Sequence, residues 1–171
     1  MSLKTLRRCA PAAILGICIL AGCYETELEV GPRDQARVDA RFVGDWEFRD
    51  PDSGATVLMV RNFNDREYYL EWGDANGSVR HRAAAFVAEA GGASVAHVRE
   101  LTADGTVPAK HWLLRASITP DGRLALRHLN DKYFETRDAS TSAKLRKLIE
   151  DGVANEAMYD EQTFTGTRVA K

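Results

Sequence analysis

The chain has 171 residues, a net charge of −2 and three cysteines, Cys9, Cys18 and Cys23. That length accommodates one ordinary hydrophobic core. A mildly acidic balance excludes a phosphate-backbone binder, so nucleic acid is not an expected partner.

The first residues, MSLKTLRR, carry Lys4, Arg7 and Arg8, and no acid occurs before Glu25. An apolar run from Cys9 to Ala21 follows, shorter than the roughly 20 residues a transmembrane helix needs, and it ends in small residues. Basic start, apolar middle and small-residue end together form the pattern of an export signal over residues 1–22. Its removal would take away three bases and no acid, leaving a domain more acidic than the whole chain. Cys9 and Cys18 would leave with it, so a disulfide cannot form within what remains.

Leu20-Ala21-Gly22-Cys23 resembles the lipobox of bacterial lipoproteins. The resemblance implies cleavage between Gly22 and Cys23, a diacylglycerol on the Cys23 thiol, and a membrane as partner through that lipid. Two or three acyl chains anchor stably, at about 0.8 kcal/mol per buried CH₂. Tyr24 follows Cys23, where an Asp marks inner-membrane retention in enteric bacteria. The implied location is therefore the periplasmic face of the outer membrane.

Residues 23–37, beginning with the lipidated Cys23, read as a polar tether broken by Gly31-Pro32. Residues 38–171 read as one β-rich domain. Short alternating stretches at Val43–Phe48, Thr56–Phe63, Glu67–Trp72, Val79–Glu89 and Ala93–Leu101 are separated by turn residues such as Asn76-Gly77 and Gly91-Gly92. His111–Thr119 and Arg123–Asn130 form the clearest hairpin, turning at Pro120-Asp121-Gly122. Trp112, Leu114, Ala116 and Ile118 share its inner face, with Leu113 as an exposed exception. From Ser142 to Asn155, Leu145, Leu148, Ile149 and Val153 recur at helical spacing, with Leu148 and Ile149 central, and Ser140 or Ser142 caps the start. A last strand spans about Thr163–Val169. The fold class is mainly β: a small antiparallel barrel or sandwich of seven or eight strands, with one C-terminal amphipathic helix before the last strand.

Gly44-Asp45-Trp46 on the first strand and Arg168 on the last resemble the Gly-x-Trp and the late Arg of lipocalin-like barrels. The resemblance implies that Arg168 lies across the Trp46 indole as a structural pair closing one end of a barrel. The chain departs from lipocalins in placing its helix before the last strand, and in having no disulfide.

Chemistry is sparse. His81, His97, His111 and His128 have no metal-ligand spacing, so neither metal nor cofactor is expected. No Gly-x-Ser-x-Gly elbow is present. Glu67, Glu71 and Glu89 are the carboxylates that could serve a cavity as acid or base, but alternation gives them solvated faces. No catalytic residue is assigned and enzyme activity is not expected. His128 extends the inward parity of Leu124 and Leu126, which makes it the candidate cavity residue. The expected function is a non-enzymatic interaction or envelope-support module with an envelope protein as partner. The alternative is a carrier of an apolar or amphipathic, lipid-like ligand: Ala83, Ala84, Ala85, Ala88, Ala96 and Ala116 are small enough to leave space inside, but the helix face needs a surface to cover and could plug or cap an open end.

Overall fold

A computed structural model describes residues 24–50, 54–103 and 108–170; the expected export signal, Gly22 and Cys23 lie outside the described residues. Nine strands form one sheet: β1 (Glu25–Thr26), β2 (Gly44–Asp50), β3 (Gly54–Asn62), β4 (Tyr68–Asp74), β5 (Val79–Ala90), β6 (Ala93–Glu100), β7 (His111–Ile118), β8 (Leu124–His128) and β9 (Phe164–Arg168). Strands β2 to β9 each pair antiparallel with the next, and β9 returns to pair with β2. The result is a closed, eight-stranded up-and-down barrel, in which closure satisfies both edges a flat sheet would expose. Strand β1 is an extra element that pairs with β7 where β8 has already peeled away.

Turn chemistry sets the registers. At Gly91-Gly92 both residues adopt positive φ, 58° and 78°, as a two-residue hairpin needs. Gly91 is required twice over, because a Cβ there would sit 2.9 Å from the Glu150 Cα of the overlying helix. The β7–β8 turn closes through Thr119 and Arg123, whose backbones bond at 2.8 Å.

Alternation along the strands builds two cores. Inside the barrel, Trp46, Val60, Tyr68, Ala83, Ala85, Ala96, Leu114 and Leu124 are buried together. Outside it, the opposite faces of β5, β6 and β7 contribute Phe86, Ala88, Val95 and Leu113 to a second cluster. Two helices occur after β8: α1 (Asp131–Glu135), absent from the sequence expectation, and α2 (Ser142–Gly152). Both helices cover that outer face with Tyr133, Phe134, Leu145 and Ile149, joined by Met158 and Tyr159.

Several expectations change for this reason. Leu113, expected to be exposed, is fully buried, since the wall behind it is covered. Helix α2 lies on the outside of β5 and does not cap an end. Its N-cap is Thr141, whose Oγ1 accepts from the Lys144 N–H at 3.3 Å, rather than Ser140 or Ser142. Within its stripe Leu145 and Ile149 are fully buried while Leu148 packs at the margin.

The stretch expected to be a tether is part of this outer layer. Tyr24 stacks on Phe134 with ring centroids 4.4 Å apart, and its backbone bonds to Leu129 and Leu113. Thr26, Val30 and Ala36 are buried. The Arg146 guanidinium donates to the Val30 carbonyl at 3.2 Å. The strap ends where the Val38 N–H bonds to the Asp65 carbonyl at the opposite end of the barrel. Its apolar residues follow neither strand nor helix spacing, because their partners come from β5, β6 and α2 rather than from a regular face.

Replacing Ile149 by Ala should cost about 2–5 kcal/mol of stability in urea titrations, the range for emptying a fully buried aliphatic site. Leu148→Ala should cost clearly less, since that side chain is only partly buried.

Candidate functional site

Register assigns a facing to each residue of the site. Trp46 on β2 stands opposite Arg168 on β9. The Trp46 ring is fully buried, and its indole N–H donates to the Phe42 carbonyl at 2.8 Å. The Arg168 guanidinium lies 4.4 Å from the ring centroid and donates to the Val43 and Arg41 carbonyls, both at 2.7 Å. Gly44 makes the room: a Cβ there would lie 2.6 Å from the Arg168 Nη1. With Phe42 and the chain from Val38 to Val43 packed beneath, this end of the barrel is sealed.

The other end differs. Towards it, inward-facing Trp72 and Trp112 belong to the inner core yet stay part-exposed, as do Leu58, Leu70 and Leu126 along the wall and Val43 and Ile118 nearer the base. Their register partners are buried, Val98 opposite Trp112 and Ala83 opposite Leu70, as are Ala85 and Ala96. Polar groups stand beside these aromatic side chains. The His81 imidazole stacks on Trp72 at 5.1 Å, with its Nδ1 3.0 Å from a Glu100 carboxylate oxygen. The Trp112 indole N–H donates to Glu25 on β1 at 2.8 Å. Of the alanines expected to leave internal space, Ala83, Ala85, Ala96 and Ala116 do face inward. Ala88 belongs to the outer core and Ala84 shares its outward parity.

His128 also faces inward, opposite Leu114 and edge-on to Phe164 at 5.9 Å. It is 7% exposed, and its Nδ1 is buried without a hydrogen-bond partner. Burial pushes its pKa down to about 4, so the ring is neutral at neutral pH. The ring is a neutral part of the inner wall, closed to solvent at Nδ1.

A second histidine pair, not singled out by the sequence, lies outside the barrel beneath the strap. His97 stacks on Phe86 at 4.3 Å and stands 4.7 Å from His111. The Val30 N–H donates to the His97 Nε2 at 3.3 Å, which leaves the proton on a buried, unpartnered Nδ1. The His111 Nε2 donates to the Leu28 carbonyl at 3.0 Å. Burial, with the charges of His111 and Arg99 added, pushes His97 down to about 3, and burial also lowers His111. Both clamp the strap as neutral rings. Even spacing of hydrophobic and polar residues could not have revealed this, because the covering segment comes from far away in the chain.

The three carboxylates considered for acid–base work are all engaged elsewhere. Glu67 is ion-paired with Arg33 in a loop; burial raises its pKa, but bonds from Asn64 and Arg33 outweigh that and hold it below the usual value. Glu71 points outward to Arg82 at 2.9 Å, and Glu89 accepts from the Ser94 hydroxyl at 2.5 Å. Two open clefts flank the strap, of about 440 Å³ by Arg33 and Glu67 and about 540 Å³ by Val30 and Arg146. Among the described residues no cluster of three or more His, Cys, Asp or Glu could hold a metal ion, and no helix is long and apolar enough to cross a membrane.

Comparison with known protein families, with curated proteins and with solved structures finds no match to this chain. The geometry of the barrel therefore carries the functional argument.

The buried histidines make stability depend on pH. Each is neutral when folded and titrates near 6.5 when unfolded, so acid favours the unfolded chain. Stability should be complete above about pH 6.5 and fall below it, by up to about 1.4 kcal/mol per pH unit for each histidine. For His128 the loss should continue to about pH 4. Urea midpoints measured from pH 7.5 to 4.5 should decline, and His128→Leu should flatten the decline by one histidine's share.

Proposed function

We propose that this protein is a lipid-anchored carrier that holds an apolar chain, bearing a small polar end, against the inner face of its barrel. One observation carries the reading: inward-facing Trp72 and Trp112 stay part-exposed, while Trp46 beneath Arg168 is fully buried. Apolar surface turned inward and left wet is costly, by about 25 cal/mol per Å², and a ligand chain covering it recovers that energy. The part-exposed His81–Glu100 pair offers hydrogen bonds to the ligand's polar end. The interaction-module function lacks an equally specific feature, which is why the carrier is preferred.

Lipidation at Cys23, after cleavage from Gly22, belongs to the same proposal and rests on the lipobox resemblance. So does residence at the periplasmic face of the outer membrane, which rests on Tyr24 following Cys23. A carrier of this kind is no enzyme and needs no cofactor.

The chain has three tryptophans, which supply a direct test. A nitroxide-labelled fatty acid added to residues 24–171, which include every strand, should quench Trp72 and Trp112 saturably. In the Trp72→Phe/Trp112→Phe double variant, sealed Trp46 should be quenched little. Absence of saturable quenching in the parent domain would overturn the carrier reading. For the anchor, Cys23→Ala should abolish incorporation of labelled palmitate in cells and leave the precursor uncut.

A further inference from the structure

The strap is a layer laid over a barrel that closes without it. Ring closure joins β2 to β9 and uses no residue before Gly44. The strap's own regular structure is slight: the two residues of β1 and one short helical turn at Arg33–Gln35. Backbone bonds pin its ends, Tyr24 to Leu129 and Leu113, and Val38 to Asp65. Its middle is held differently. Among the described residues, three side chains bond the backbone there to the rest of the chain: His111 at the Leu28 carbonyl, His97 at the Val30 N–H and Arg146 at the Val30 carbonyl.

The His97 bond has a polarity that acid reverses. Val30 is the donor, so Nε2 must present a lone pair, and a proton on Nε2 sets two donors against each other. His111 differs, because its Nε2 donates to Leu28 and a second ring proton leaves that bond in place. His97 is only 1% exposed, and its Nδ1 proton has no partner while the strap is closed. Lifting the strap brings water to both nitrogens. Around His97, β5 presents apolar Phe86 and Ala84, β7 presents His111, and β6 presents Arg99. The strap adds Glu29 and Arg33. Helix α2 adds Arg146 with its partner Glu150, and the β3–β4 loop adds Glu67, which is committed to Arg33 and Asn64. Burial, then the charges of His111 and Arg99, oppose a proton on His97.

We propose that His97 is an acid-released latch: protonation at Nε2 frees residues 28–36 of the strap from the outer wall while the β2–β9 barrel stays closed. The Phe86 ring, on which His97 stacks and over which Arg33 lies, is uncovered with it. This regulation goes beyond the carrier reading and depends neither on it nor on the lipid anchor. Closed, His97 titrates at about 3; lifted, it returns to about 6.5. Closure is therefore fully favoured above about pH 6.5 and is lost as pH falls below it. Between pH 7.5 and 5.5 the lifted fraction should rise about 10-fold through His97 alone, with His111, lowered by burial in the closed state, adding to it.

Hydrogen exchange at single amides of the full chain in detergent tests this, with protection corrected for the intrinsic rate at each pH. Val30 should be less protected than Trp46 and Glu47 of β2, a strand paired on both sides, at pH 7.5 and at pH 5.5. Its protection should fall about 10-fold or more between the two. His97→Gln keeps an oxygen to accept from Val30 and gains no proton, so the fall should shrink by about 10-fold. His111→Gln keeps a donor for Leu28 and should retain the His97 share. Val30 as protected as β2 would overturn the proposal, since the strap would then leave only with the barrel. So would protection that is equal at the two pH values, a fall in His97→Gln as large as the parent's, or loss of the fall in His111→Gln. The comparison with β2 and the pH response need no variant, so they decide the matter even where His97→Gln does not fold.

Discussion

Pairing of β9 with β2 is the constraint on which the rest of the structure depends. Seven consecutive antiparallel pairings would leave a curved sheet with two raw edges; three register pairs, Trp46 with Arg168, Glu47 with Thr167 and Phe48 with Gly166, join them. The side chains at that seam close the barrel base as well. Arg168 caps the buried Trp46 ring from the solvent side and ties down the carbonyls of the entering chain, while Gly44 and Gly166 keep the seam thin enough for the Arg168 and Phe48 side chains to fit. A closed ring fixes an inside, and an inside with one sealed end gives the molecule a direction.

Closure alone would leave β5, β6 and β7 with an apolar outer face. The chain covers it twice, with α1 and α2 inserted between β8 and β9, and with the strap that precedes β2. Strand β7 is consequently buried on both faces, Leu114 and Ala116 inward and Leu113 outward. The outer layer also absorbs two histidines, which bond to the strap only as neutral rings. Acid therefore weakens the strap's attachment together with the global fold, since the same protonation opposes both.

This division of labour bears on function. Because the helix and the strap are used to cover the wall, neither fills the barrel's open end, and the described inward residues there stay wet. Large side chains seal the base at Trp46, Phe42 and Tyr68; alanines line the middle; aromatic residues ring the rim. Under the proposed carrier function a chain-like ligand would enter beside Trp72 and Trp112.

Much of the barrel was legible in the sequence. Period-2 stretches, Gly-Gly and Pro-Asp-Gly turns and the Leu145–Ile149 helical stripe depend on neighbours a few residues away, so local spacing specified the β class, the hairpins and the helix before the last strand. His128 was legible as inward by parity with Leu124 and Leu126. What spacing could not reveal was which outward faces would be covered. Leu113 looked exposed and residues 24–36 looked like a tether because their partners, Phe134, His97 and Arg146, lie 67 to 116 residues away or meet them only across the folded wall. The barrel interior has the same origin. Each inward side chain looks like ordinary core in the sequence, and only closure of the ring decided that the inner faces of eight strands would meet in one interior.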